Sequence, residues 1–115
     1  MQNMKLLVVG SINMDIFTYV ENLPKPGETL ISEQVQFGSG GKGANQAIAA
    51  SLSGSEVYIL GAVGNDAFRG TLLQSLKENN VNISYVMEKN MNSGLALITV
   101  DKNGENHIYD FSIDK

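Results

Sequence analysis

The chain is predicted to be an α/β protein, a partial Rossmann-like parallel sheet with helices plus a small antiparallel β sheet attached to it. Three observations carry this reading. Lys5 to Gly10 and Val57 to Leu60 are short, unbroken apolar runs, the pattern of strands buried on both faces of a parallel sheet. Segments 43–53 and 67–79 carry apolar residues at helical spacing and alternate with strand signals, which favours parallel strands joined by right-handed crossovers. The remaining strand candidates, 15–20, 29–37, 95–100 and 107–113, fit poorly inside that sheet and are expected to form the second, antiparallel one.

Taken in order, the first strand is closed by Gly10, and Asp15 to Val20 is β-branched and aromatic enough to be the second. Leu23-Pro24-Lys25-Pro26-Gly27-Glu28 is a turn by its proline and glycine content. Thr29 to Phe37 alternates roughly, with Ile31, Val35 and Phe37 apolar, as a half-exposed strand does. The alanine-rich segment 43–53 suits a helix lying close on a sheet, and Gly54 stops it. Asn65 and Asp66 are placed to cap helix 67–79, whose Phe68, Leu72, Leu73 and Leu76 share a face. Ile83 to Met87 reads as a short strand. Asn103-Gly104 between the apolar runs 95–100 and 107–113 signals a hairpin.

Composition narrows the function classes. A chain of 115 residues is one domain at most, and 43% hydrophobic with 17% charged residues describes a folded, soluble protein. A formal charge of −4 argues against nucleic acid as a partner. The absence of cysteine removes disulfides and thiolate metal sites. The apolar run after Met1 is too short for a signal peptide or a membrane span, so a cytoplasmic protein with no membrane contact is expected.

The most informative stretch is Gly38-Ser39-Gly40-Gly41-Lys42-Gly43, directly before a helix. Glycines at a helix start gather free backbone N–H groups, a device for holding an oxygen-rich ligand. A P-loop would need Ser or Thr after the Gly-Lys pair and a glycine at position 36; Gly43 and Gln36 stand there instead. Gly38, Gly40 and Gly43 do match G-x-G-x-x-G. However, the preceding Ser32-Glu33-Gln34-Val35-Gln36 is too polar for the buried first strand of a dinucleotide fold, and no acidic residue ends a buried strand about twenty positions on.

A closer match is to a known family. Gly-Gly-Lys-Gly-Ala-Asn-Gln-Ala at 40–47 resembles the N-terminal signature of the PfkB carbohydrate kinases, and within them the ribose kinases. Gly10-Ser11-Ile12-Asn13-Met14-Asp15 resembles the family's first strand with its sugar-binding Asn-x-Asp. Pro26-Gly27-Glu28-Thr29 resembles the turn entering its lid. Gly61-Ala62-Val63-Gly64-Asn65-Asp66, with Phe68 and Gly70, resembles its Gly-x-Asp stretch. The resemblance runs in order from Lys5 to about Ile113 and implies a ribokinase-like fold with lid strands at about 15–37 and 93–113.

By this resemblance the substrate is ribose, and Asn13, Asp15, Gly41, Lys42, Gly43 and Asn45 are the substrate-binding residues. The chemistry suits a polyol. Asp15 can accept two hydroxyl protons. Asn13, two positions earlier on a strand, points to the same face and offers both a donor and an acceptor. Gly41 and Gly43 leave their N–H groups open to approach. Individually these residues have plainer readings: Asn13 and Asp15 as turn formers, Asn45 as a helix cap, Lys42 as a solvated surface charge. His107 reads as a solvated strand residue and Asp66 as a helix-start residue. The joint occurrence in the family's order favours the site.

The family's catalytic Gly-Ala-Gly-Asp stretch, its Asn-x-x-Glu motif linked with magnesium and its adenine-binding loops are absent from this sequence. The resemblance therefore implies the N-terminal portion of the fold, with the C-terminal half absent and no catalytic residue in this chain. Mg2+ and ATP, with a monovalent cation as candidate activator, would serve the complete enzyme, and none would be bound by this chain alone. A homodimer through the β lid is also implied, with Phe37, Ile98, Val100 and Ile108 as the expected apolar face. Two alternatives stay open: another sugar or nucleoside kinase of the family, and a non-catalytic short lid or binding module.

Overall fold

The computed structural model describes residues 4–32 and 34–113. Its elements run β1 (Lys5–Val9), β2 (Asn13–Tyr19), β3 (Gln34–Gly40), α1 (Lys42–Leu52), β4 (Glu56–Leu60), β5 (Ala62–Gly64), α2 (Arg69–Glu78), β6 (Val81–Asn82), β7 (Met87–Lys89), β8 (Gly94–Val100) and β9 (Asn106–Phe111). Among the described residues the strands form three sheets, ordered β1-β4-β6, β3-β2-β8-β9 and β5-β7.

The first sheet is parallel throughout, as the alternation of apolar runs and helices requires. Its register sets Leu6 beside Val57 and Val8 beside Ile59, and this face meets the helices. Val57 and Ile59 are buried together with Ala44 and Ala47 of α1, Leu72 and Leu76 of α2, and Val81. Alanines let α1 lie close on the strands, and the apolar stripe of α2 closes the same core. The opposite face differs from expectation. Leu7 and Val9 are 56% and 69% exposed, so β1 is half-buried on one face and bare on the other. Both helices stand on the other side of the sheet, and of this bare face only Tyr58 finds a ring partner, Tyr85, at 5.8 Å.

The segment 83–86 is not a strand, and only Met87 of the expected strand lies in one, at the start of β7. Asn82 Oδ1 accepts hydrogen bonds from the Ser84 N–H at 2.8 Å and its hydroxyl, folding the chain into a local turn. Two shorter strands flank it. β6 pairs with β4, and β7 pairs with β5, whose Ala62–Gly64 was too short to show a periodicity. Similarly, the strand expected over 29–37 begins only at Gln34 and continues through Gly38 and Gly40, so part of the glycine-rich stretch is extended sheet rather than loop.

The four-stranded sheet is antiparallel at its edges and parallel at its centre, where β2 lies beside β8. β2 and β8 both start at the α/β body and run outward, so they must be parallel; β3 and β9 border them in the opposite sense. The hairpin turn is held by Asp101 Oδ1, which accepts from the N–H groups of Asn103 and Glu105, with Gly104 at φ +81°. His107 lies exposed on β9.

Registers place Phe37, Ile16, Leu97 and Tyr109 in one row on one side of this sheet. Ile98, Val100 and Ile108 lie on the other side with Asp15 and Phe17, so the four apolar residues expected to share a face do not. The period-2 alternation of strands separates them. The sheet stands away from the body: the radius of gyration is 16.3 Å, against about 13 Å for a compact chain of this length. No helix among the described residues is long and apolar enough to cross a membrane.

Candidate functional site

The polar residues singled out in the sequence meet where β2 leaves the body. Asn13 pairs with Gly40 of β3 and Gly94 of β8, and Asp15 with Gly38 and Ala96. Asn13 and Asp15, two apart on one strand, share a face. Each leans over a neighbouring glycine. A Cβ on Gly94 would lie 2.2 Å from Asn13 Oδ1, and one on Gly40 would lie 2.3 Å from Asp15 Oδ2. The two glycines are the space these side chains occupy.

Gly41 then turns the chain into α1. It is the N-cap residue at φ +95°, and a Cβ there would meet the Ser11 carbonyl at 2.6 Å and the Asn13 nitrogen at 2.9 Å. Gly43 packs on Gly10, where a Cβ would lie 2.5 Å from the Gly10 carbonyl carbon. Close backbone packing thus requires glycine at 41 and 43, a reason separate from ligand approach. Ala44 N–H donates to Ser11 O at 3.0 Å and Asn45 N–H to Gly41 O at 2.9 Å, locking the helix start onto the β1–β2 turn.

No side chain caps α1 and no acidic residue stands in its first turn. Asn45 is therefore not the helix cap; it sits exposed one turn in. The N–H groups of Lys42 and Gly43, at the first turn, have no acceptor within the helix, and the positive end of the helix dipole faces the same region. Lys42 is exposed, while Asn13 and Asp15 are half-buried. The structure thus brings Asn13, Asp15, Gly41 and Gly43 to one rim at the start of α1, with Lys42 and Asn45 exposed in the first turn of that helix.

Burial, and second the negative charge of Asp110, hold the Asp15 carboxyl above the ordinary carboxylate range. Asp110 on β9 is a residue that sequence reading misses. Only the register Asp15–Ala96–Asp110 across three strands reveals it, and no local pattern encodes that. Phe17 and Ile98 extend the same face. A cavity of about 510 Å3, lined by Val20, Glu21, Asn22, Leu23, Lys25 and Glu28 among others, lies at the outer end of β2, away from this rim.

Asp66 has a structural task. Its Oδ1 accepts from the Phe68 N–H at 3.2 Å and the Ser93 hydroxyl at 2.8 Å, and its Oδ2 accepts from the Ser93 N–H at 2.7 Å. Ser93 Oγ in turn accepts from the Gly64 N–H at 2.9 Å, and Ser93 is 1% exposed. This knot ties the end of β5 to the start of β8 and so sets Gly94 beside Asn13. Burial pushes the Asp66 carboxyl up, but hydrogen bonds from Ser93, Phe68 and Arg69 outweigh it and hold the group below the ordinary range. A depressed folded-state carboxylate stabilises above its unfolded pKa, and that contribution is lost as pH falls through the folded value. Unfolding followed by denaturant at several pH values should show stability falling below about pH 4, with a shallower slope for Asp66→Asn. An unchanged slope in that variant would remove the assignment.

Residues 3–113 match the pfkB family carbohydrate kinase profile. The chain is 46% identical over 97 residues to the ribokinase of Lactococcus lactis, a match covering 84% of this chain and 32% of that protein. It is 41% identical over 106 residues to the deoxyribokinase of Salmonella typhi, covering 91% of this chain and 35% of the relative. Its fold superposes on the structure of Arabidopsis thaliana ribokinase complexed with ribose and ATP with a TM-score of 0.84 at 35% identity, over 96% of this chain and 36% of that one. The chain spans about a third of the length of the curated relatives it matches.

Proposed function

Given that the chain belongs to the pfkB family of carbohydrate kinases, we propose that it is the sugar-binding portion of an ATP-dependent ribokinase. The complete reaction converts D-ribose and ATP to D-ribose 5-phosphate and ADP, and its place of work is the cytoplasm. The observation that carries this reading is the register that sets Asn13 and Asp15 against Gly40 and the start of α1.

Ribose presents hydroxyls and no charge, so recognition depends on donors and acceptors at fixed positions. In this reading Asp15 accepts two hydroxyl protons, and Asn13 both donates and accepts. The N–H groups at Gly41 and Gly43, with Lys42 and Asn45, close around the remaining oxygens. Together these contacts orient the acceptor hydroxyl for in-line attack, which is where a phosphoryl-transfer enzyme gains most of its rate.

The nucleotide half is a different matter. ATP would be the phosphoryl donor, and the Arabidopsis ribokinase complexed with ribose and ATP supports that choice. Among the described residues no three His, Cys, Asp or Glu side chains stand together, so this chain shows no all-protein cluster for a metal ion. No step is therefore assigned to a metal or to the nucleotide through this chain's residues.

The test is ADP release by the full-length protein with Mg-ATP and a panel of sugars. Ribose-dependent turnover is expected. Preference for 2-deoxyribose would favour the second reading, a deoxyribose kinase, which the similarity to the Salmonella enzyme supports. No sugar-dependent turnover would overturn both.

The four-stranded sheet is proposed as a lid over the sugar that also pairs with its twin in a homodimer. Its Ile16 row includes Phe37 and Tyr109, which are 63% and 70% exposed, and such side chains on a small sheet call for a partner. Sedimentation should show a dimer that Phe37→Ser combined with Tyr109→Ser dissociates; a monomer at micromolar concentration would exclude this role.

A further inference from the structure

Asp110 is the acidic residue that faces the proposed sugar site from the outermost strand of the sheet. The pairings Asp15 with Ala96 and Ala96 with Asp110 place both carboxylates on one side of the sheet, two strands apart. Two strand spacings are about 10 Å. The residue between them is Ala96, the smallest side chain that still keeps a strand position, and it forms a low, nearly buried floor.

Asp15 leans away from Ala96, over Gly40, while Asn13 leans over Gly94 at the inner end of the same floor. Phe17 and Ile98 stand at its outer end. The floor is thus walled by acceptors on two opposite sides, with an amide at one end and apolar side chains at the other. Asp110 is exposed and makes no ion pair among the described residues, so its carboxylate is open to a ligand.

We propose that Asp110 is a specificity-determining residue, accepting a hydrogen bond from a sugar hydroxyl on the side of the ring opposite to the one Asp15 holds. This rests on the sugar-kinase reading above. A carboxylate without a hydroxyl partner would face Asp15 with nothing between them but the sugar, and like charges across a site disfavour each other. A polyol with hydroxyl protons on both edges satisfies both acceptors at once. A sugar lacking one of those hydroxyls leaves a carboxylate unpaired and binds less well.

The experiment is calorimetric titration of the full-length protein, as wild type, Asp110→Ala and Asp110→Asn. The ligands are ribose and its 1-, 2-, 3- and 5-deoxy analogues. Ribose affinity is expected to fall roughly tenfold in Asp110→Ala, the loss of one charge-assisted hydrogen bond, with partial recovery in Asp110→Asn, which keeps an acceptor. One deoxy analogue should bind wild type and Asp110→Ala equally, because its contact is already missing. Equal or tighter ribose binding in Asp110→Ala, with wild type binding ribose normally, would overturn the role of Asp110 and leave the sugar-kinase reading standing. An equal loss for ribose and every deoxy analogue would also overturn it, since no hydroxyl would be read. Failure of wild type to bind any of the sugars would overturn the sugar-kinase reading, and this proposal with it.

Discussion

Asp15→Ala in the full-length protein is expected to raise the apparent ribose constant about ten- to a hundredfold while ATP binding changes little. The substitution removes an acceptor from a half-buried position where it would take two hydroxyl protons. A hydrogen bond to a charged group is worth roughly 1.5–3 kcal/mol, which sets the size of the loss. The fold should survive, because Asp15 lies over Gly40 and makes no hydrogen bond among the described residues that holds the sheet together; β2 stays paired on both sides through its backbone.

The pH dependence gives an independent reading. Burial and Asp110 raise the Asp15 pKa, so on acidification its ionised form is lost earlier than that of an ordinary carboxylate. Ribose affinity should therefore decline at a higher pH than a free carboxyl would dictate, and Asp110→Asn should move that decline to lower pH. Folding stability moves oppositely to the Asp66 case: a raised folded-state pKa contributes stability below the unfolded value, lost as pH rises through the folded one. An unaltered ribose constant in Asp15→Ala would mean that the Asn-x-Asp pair does not hold the sugar.

The 115-residue chain by itself is expected to show no phosphoryl transfer at all. In the proposed reading the rim formed by Asn13, Asp15 and the start of α1 binds and orients an acceptor. Among the described residues no cluster of three His, Cys, Asp or Glu side chains accompanies that rim. Phosphoryl transfer relies on placing the donor and neutralising charge as it develops, and losing that half removes the reaction rather than slowing it slightly. The exposed Leu7 and Val9 on the bare face of the parallel sheet point the same way, since a parallel sheet is ordinarily covered on both faces. Coupled ADP detection with ribose and Mg-ATP should stay at the blank. Turnover above it, in protein freed of host kinases, would sink the assignment of this chain to the acceptor side alone.

Much of this protein was legible from its residues. Unbroken apolar runs at 5–10 and 57–60 with alanine-rich and leucine-striped helices between them lead to a parallel sheet, because those periodicities have few other ways to be buried. Asn103-Gly104 marks its hairpin for an equally local reason, the backbone angles such a turn demands. The glycine stretch at 38–43 announces a special backbone, and the order of motifs from Gly10 to Gly70 points to the family.

Other features belong to tertiary structure alone. The direction in which β8 runs beside β2 depends on both strands leaving the body at the same edge, which no window of sequence contains. The one-sided burial of β1 depends on where the helices sit. The break at 83–86 is decided by a short-range turn at Asn82 that outweighs a weak strand preference. Glycine at 40 and 94 is explained only by the side chains of Asp15 and Asn13 that occupy their places, and glycine at 43 only by Gly10. Asp110 comes to the same face as Asp15 through strand register, an arrangement of residues 95 positions apart that only the assembled sheet can make.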